Sequence, residues 1–141
     1  MLEPLPLLFL DVDGVVLPIG AELEDLGTAL GRQLAALHCE LVWATAWQHD
    51  ANEEIAPRIG LPRLPVVEWR DTTVAEDDED TYLGLHWKTR LLVECAAGRD
   101  FAWVDDEVAD TDANWIAEHH QGRAMVHRVR SPGGVGGVGG S

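Results

Sequence analysis

Very little in this chain carries fixed positive charge. Lysine and arginine together number 10 against 25 aspartates and glutamates, a formal net charge of −15. A field of that sign repels bare nucleic acid and anionic membrane. It also repels phosphate esters, so a phosphate site would need a local cation. Lys88 is the single lysine; the other fixed cations are arginines. Cysteine is scarce too, only Cys39 and Cys95. Two cysteines without a CxxC pair make no disulfide framework, so a reducing cytoplasm is the expected compartment and both thiols are expected in the core. No apolar run approaches the roughly 20 residues needed to span a bilayer. No basic stretch precedes the apolar Leu5 to Leu10, and Asp11 ends that run too early for a secretory signal.

What is present suits one globular domain: 141 residues, 46% apolar and 25% charged. Leu7 to Leu10 reads as a buried strand that stops at Asp11, with Asp13-Gly14 as a turn. Leu23, Leu26, Leu30, Leu34 and Leu37 recur at three- and four-residue steps, which predicts a helix over 21–37. Leu41 to Ala44 is a second apolar run, ending at Thr45. Asp50 to Arg58 predicts a helix with Asp50 as its cap. Gly60 to Pro65 is a loop, and Val66 and Val67 begin a short strand.

Asp71 to Asp80 holds six acids and is expected as an exposed loop. Trp87 to Ala97 predicts a helix stopped by Gly98. Phe101 to Val104 is a third strand before Asp105, Asp112 to His120 a helix, and Ala124 to Val129 a last strand. Residues 1–130 form the expected domain. Residues 131–141 are a Gly/Val-rich tail expected to be disordered. Strands alternate with helices, which argues an α/β fold: three layers, with a central parallel sheet and helices on both faces. Chemistry in such sheets sits at the carboxyl ends of strands. Asp11, Asp13, Thr45, Asp105 and Asp106 all fall there.

The segment Leu10-Asp11-Val12-Asp13-Gly14 places two carboxylates two residues apart at a strand end, which suits a hard cation such as Mg²⁺. A plain turn is the simpler alternative. A calcium loop fails, because its fifth position would be Val15. Thr45 offers a hydroxyl and nearby N–H groups to phosphate oxygens, or only caps a helix. Lys88 neutralises phosphate, pairs with a carboxylate, or lies on the surface. Asp105 and Asp106 add further metal ligands, with Asp110 one turn on as a supporting acid; otherwise they are a helix start rich in acids.

In order along the chain, Asp-x-Asp-Gly-Val, strand-Thr, Lys and strand-Asp-Asp-x-x-x-Asp resemble the four motifs of the haloacid dehalogenase (HAD) superfamily. The resemblance runs from about Leu7 to Asp110. It implies a Rossmann-like, HAD-like fold and a Mg²⁺-dependent phosphatase acting through an aspartyl-phosphate. It makes Asp11 the nucleophile and Asp13 the general acid and base. Asp11, the main-chain carbonyl of Asp13, and Asp106 or Asp105 would hold the metal. Thr45 would bind the transferring phosphoryl group, and Lys88 would neutralise charge.

Gly14 to Ala21 leaves room for a short flap only. The resemblance therefore implies a member with minimal or no cap, with Asp71 to Asp80 as a partial lid. Such members often act on macromolecules or close the site by oligomerising. Thr45 with Trp47, His49 and Asn52 also weakly resembles HAD domains of bacterial RNA-repair proteins. A polynucleotide end would then be the substrate, with Arg58, Arg63 and Arg70 as a local patch against an otherwise unfavourable charge. The six tryptophans are expected mainly in the core. A non-catalytic metal-binding module, or an interaction partner working through the acidic segment, are the remaining classes. His119 and His120 are adjacent and point apart, so they make no metal pair. His49 is expected to be solvated.

Overall fold

A computed structural model describes residues 4–18 and 20–129. The tail at 131–141 lies outside the described residues. Four strands, β1 (Leu7–Leu10), β2 (Glu40–Trp43), β3 (Phe101–Asp105) and β4 (Ala124–Arg128), form one sheet in the order β2-β1-β3-β4. All three pairings are parallel. Five α-helices accompany them: α1 (Thr28–Ala35), α2 (Ala56–Ile59), α3 (Val74–Leu83), α4 (Thr89–Ala96) and α5 (Asp110–His119). The arrangement is consistent with a Rossmann-like α/β fold. No described helix is long and apolar enough to cross a membrane.

Side chains alternate across a strand, so each face of the sheet collects its own core. Leu7 and Phe9 of β1 join Phe101 and Trp103 of β3, Leu92 of α4 and Ile116 of α5. Leu8 and Leu10 join Trp43 of β2, Ile55, Ile59 of α2, and the half-buried Leu30 and Leu34 of α1. Because both faces are covered, β1 is buried at every position and reads as a continuous apolar run.

The helix expected over 21–37 is broken. A 3₁₀ turn at Leu23–Asp25 comes first, Gly27 stands extended as the N-cap, and only then does α1 begin. Leu23 and Leu26 still pack on the core, so the apolar steps were a real signal of burial but not of one helix. Gly31 explains how close α1 lies to α2: an added Cβ would collide with the carbonyl oxygen of Ile59. The helix expected after Asp50 opens as a π-turn at Ala51–Ile55, and Asp50 makes no side-chain cap bond. Val66 makes one parallel bridge to Trp43 in place of a strand.

The acidic segment differs most from expectation. It is α3, not a loop. Thr73 Oγ1 accepts a hydrogen bond from Glu76 N at 3.1 Å, and the Glu76 carboxylate accepts one from Thr73 N at 2.9 Å. That reciprocal cap, with acids at the positive end of the helix dipole, makes the run helical. Arg70 pairs with Glu76 and Glu94, and Arg90 with Glu79 and Asp80, so α3 is fastened to α4. The segment is solvated as expected, with no buried residue in α3.

Cysteine placement also needs correction. Cys39 is half-buried, and Cys95 is exposed at the solvent side of α4.

Candidate active site

In the sheet, β1 lies between β2 and β3, so the chain crosses from β1 to β2 on one side and then returns past β1 to β3 on the other. The crevice at the carboxyl ends of β1 and β3 is where such a topology opens a site. Asp11 follows β1 directly, and Asp105 is the last residue of β3. Lys88 immediately precedes α4. Its Nζ lies 3.1 Å from Asp11 Oδ1 and 2.8 Å from Asp105 Oδ2. All three are buried. The carboxylates of Asp11, Asp105 and Asp106 each offer an oxygen within 4.8 Å of the others. Four groups expected from three of the motifs thus meet.

One ammonium faces three carboxylates, and the proton equilibria reflect the imbalance. Burial raises the Asp11 carboxyl above its ordinary range; Lys88 offsets part of that, and Asp105 adds to it. Burial also pushes Asp105 upward, but the charge and hydrogen bond of Lys88 and the N–H of Glu107 reverse the effect and leave it lowered. Asp106 is pushed up to about 6 by burial, by its hydrogen bond with Asp105 and by the negative charge of Asp105 and Asp11. Three acids converging with a deficit of positive charge suit a divalent cation. The fit has a steric sign as well. Gly14, at φ +79, leaves room where a Cβ would overlap the Asp106 carboxylate. Asp11, Asp105 and Asp106 are the side chains that could hold such an ion.

Asp13 stands apart from that triad. Its carboxylate is exposed and accepts a hydrogen bond from the Trp47 indole N–H at 3.0 Å. It lines the same cavity as Asp11, Ala46, Trp87, Lys88, Asp106 and Glu107, a space of about 220 Å³. The turn behind it is tight: Gly14 N donates to Leu17 O at 2.9 Å and Leu17 N to Val12 O at 2.8 Å. No α3 residue lines this cavity.

Thr45 is fully buried just beyond β2. Its Oγ1 accepts from Trp47 N at 3.1 Å, and its carbonyl from Trp69 Nε1 at 3.0 Å. Ala46 reaches the cavity wall beside it.

Several contributors escaped the sequence reading. Asp112 is buried: Oδ1 accepts from His86 N at 2.8 Å and Thr89 Oγ1 at 2.6 Å, and Oδ2 from Ala109 N at 3.0 Å. It therefore ties the start of α5 to the residues on both sides of Lys88. Asp110, the expected supporting acid, is exposed and lines a different cavity, with Val108 and Arg128. The physical reason is helical phase, since only the acid at the third helical position turns inward. His86 Nδ1 accepts from Lys88 N at 3.1 Å, and its ring stacks on Trp87. Trp43 and Trp103 are core as expected, but Trp87 is 45% exposed.

The arginines expected as a patch are individually engaged: Arg58 with Glu54 O, Arg63 with Glu53, and Arg70 with Glu76 and Glu94. His49 is exposed beside Glu68. His119 stacks on Trp115 while His120 bonds Arg99 O, so the two histidines do point apart.

No protein-family profile, curated protein or solved structure matches this chain.

Proposed function

We propose that this chain is a Mg²⁺-dependent phosphomonoesterase of the HAD type, working through an aspartyl-phosphate on Asp11. The observation that carries this reading is the Lys88 ammonium held between Asp11 and Asp105 beside Asp106. Asp11 Oδ attacks phosphorus, and the ester P–O bond breaks. Asp13 delivers a proton to the departing alkoxide; the Trp47 N–H occupies Oδ2 and leaves Oδ1 to carry that proton. In the second half Asp13 takes a proton from water, whose oxygen attacks phosphorus and releases Asp11. Lys88 offsets the charge gathering between nucleophile and phosphoryl oxygens, and Thr45, whose Oγ1 accepts from Trp47 N, would give its own hydroxyl proton to one of those oxygens beside Ala46 at the cavity wall. Asp11, the main-chain carbonyl of Asp13, and Asp106 would hold Mg²⁺, which when bound supplies charge neutralisation and orientation for the phosphoryl group. Asp105, committed to Lys88 and the Glu107 N–H, acts as the support of that lysine.

Small phosphorylated molecules fit this reading better than polynucleotide ends, because the net charge of −15 repels the latter and the nearby arginines are already paired. The test is hydrolysis of p-nitrophenyl phosphate with and without Mg²⁺, comparing wild type with Asp11→Asn. Release that needs Mg²⁺ and vanishes in the variant is the expected result. No release at all, with Mg²⁺ still bound in calorimetry, would replace the enzyme by a metal-binding module.

A further inference from the structure

The cavity is polar on most sides, but the partly exposed Trp87 gives it one apolar wall that continues to solvent. A large aromatic left 45% exposed is unusual beside two indoles, Trp43 and Trp103, that are wholly buried. Trp87 is nevertheless held in place. Trp69 meets it edge-on at 4.7 Å and 72°, and His86 stacks on it at 5.7 Å and 26°. Both supports are themselves anchored, Trp69 to the Thr45 carbonyl and His86 to Asp112. An exposed ring that its neighbours already hold from two sides loses less entropy when something packs on it.

The space around Asp11, about 220 Å³, is smaller than the roughly 300–1,000 Å³ of pockets that enclose a whole drug-sized ligand. It takes a phosphoryl group, and what the phosphate is attached to lies at the mouth. There Asp13 and Glu107 present negative charge, which disfavours a second anionic group.

We infer that the leaving group of the substrate carries a flat, uncharged ring system of the nucleobase kind that stacks on Trp87. This rests on the phosphomonoesterase reading for the position of the phosphate. The competing role for Trp87 is to shield Lys88, whose Nζ lies 5.5 Å from the ring centroid.

The experiment is calorimetric titration of adenosine 5′-monophosphate and ribose 5-phosphate with Mg²⁺ present. The protein is Asp11→Asn, in which no turnover consumes the ligand. The two ligands share the phosphate and the sugar carbon that bears it and differ in the base. The mononucleotide is expected to bind at least about tenfold tighter, as one stacked base supplies. Adding Trp87→Leu should bring the ratio close to one with ribose 5-phosphate unaffected, and Trp87→Phe should keep part of the preference. Equal affinities before Trp87 is altered, no binding of either ligand, or equal loss for both ligands in Trp87→Leu would overturn the inference. Circular dichroism of each variant confirms that the fold is retained. A preference for the mononucleotide in a protein that hydrolyses no ester would sink the enzymatic reading and leave the platform standing.

Discussion

Gly14 and Asp106 face each other so closely that a Cβ on the first would overlap the carboxylate of the second. Gly14 also sits at φ +79, where a side chain is strained by about 1–2 kcal/mol. The overlap is with the side chain of Asp106 alone, which relieves it by moving away from Asp11 and Asp105. Gly14→Ala is therefore expected to lower the melting temperature and to weaken Mg²⁺ binding together. Calorimetry on the folded variant checks the second effect. Unchanged Mg²⁺ affinity would remove Asp106 from the metal site.

Among the described residues, Lys88 is the sole cation in contact with two buried carboxylates. Removing one partner from a buried ionic group typically destabilises by about 3–5 kcal/mol, because the charge left behind is neither solvated nor paired. Lys88→Met should show a loss of that order in urea unfolding at pH 7, together with loss of turnover. Mg²⁺ should restore part of the stability and none of the turnover. Stability equal to wild type without metal would mean that the three carboxylates do not need the ammonium.

The acids of this chain set two opposed pH effects. Asp106 binds its proton more tightly when folded, at about 6 against an ordinary value of 3.8. Its stabilising contribution is therefore present below pH 3.8 and is lost as pH rises from there through about 6. Glu76 is the reverse: Arg70 and the Thr73 N–H hold it down at about 2. Its contribution is present above about 4.5 and is lost as pH falls toward 2. Without metal, thermal stability should thus peak in mildly acid solution. Added Mg²⁺ should raise the melting temperature more at pH 7 than at pH 5, where Asp106 is protonated. A Mg²⁺ increment independent of pH would contradict the placement of Asp106.

How much of this was legible beforehand depends on what kind of signal each residue leaves. Leu7 to Asp11 and Phe101 to Asp105 were readable, because a short apolar run cut off by an acid is a buried strand delivering a carboxylate to the rim. Lys88 was readable only through its order among the other motifs; nothing local marks a lysine at a helix start as buried. Helix α3 was hidden because six acids in ten residues look like a solvated loop, although Thr73-Val74-Ala75-Glu76 spells the reciprocal cap. Trp87 could not be read at all. Composition counts tryptophans without saying which of them leave the core.

The last case, Asp112 against Asp110, shows the limit of spacing arguments and is open to a direct test. Asp110, at the exposed start of α5, contributes at most the about 0.3–1 kcal/mol of an acid near a helix N-terminus. Asp112 accepts three hydrogen bonds, two of them from His86 and Thr89, which flank Lys88. Asp112→Asn keeps the shape but gives up one accepting oxygen, so a bond to a charged group worth about 1.5–3 kcal/mol is lost. Urea unfolding should register that loss in Asp112→Asn and little change in Asp110→Asn. Turnover should fall only in part in the first, since the amide oxygen at the Oδ1 place keeps His86 N and Thr89 Oγ1 while the Ala109 N bond that fixes the start of α5 is given up, and stay near wild type in the second. Equal effects in both variants would mean that α5 acts on the site through its dipole alone and that Lys88 is positioned by Asp11 and Asp105 without help from Asp112.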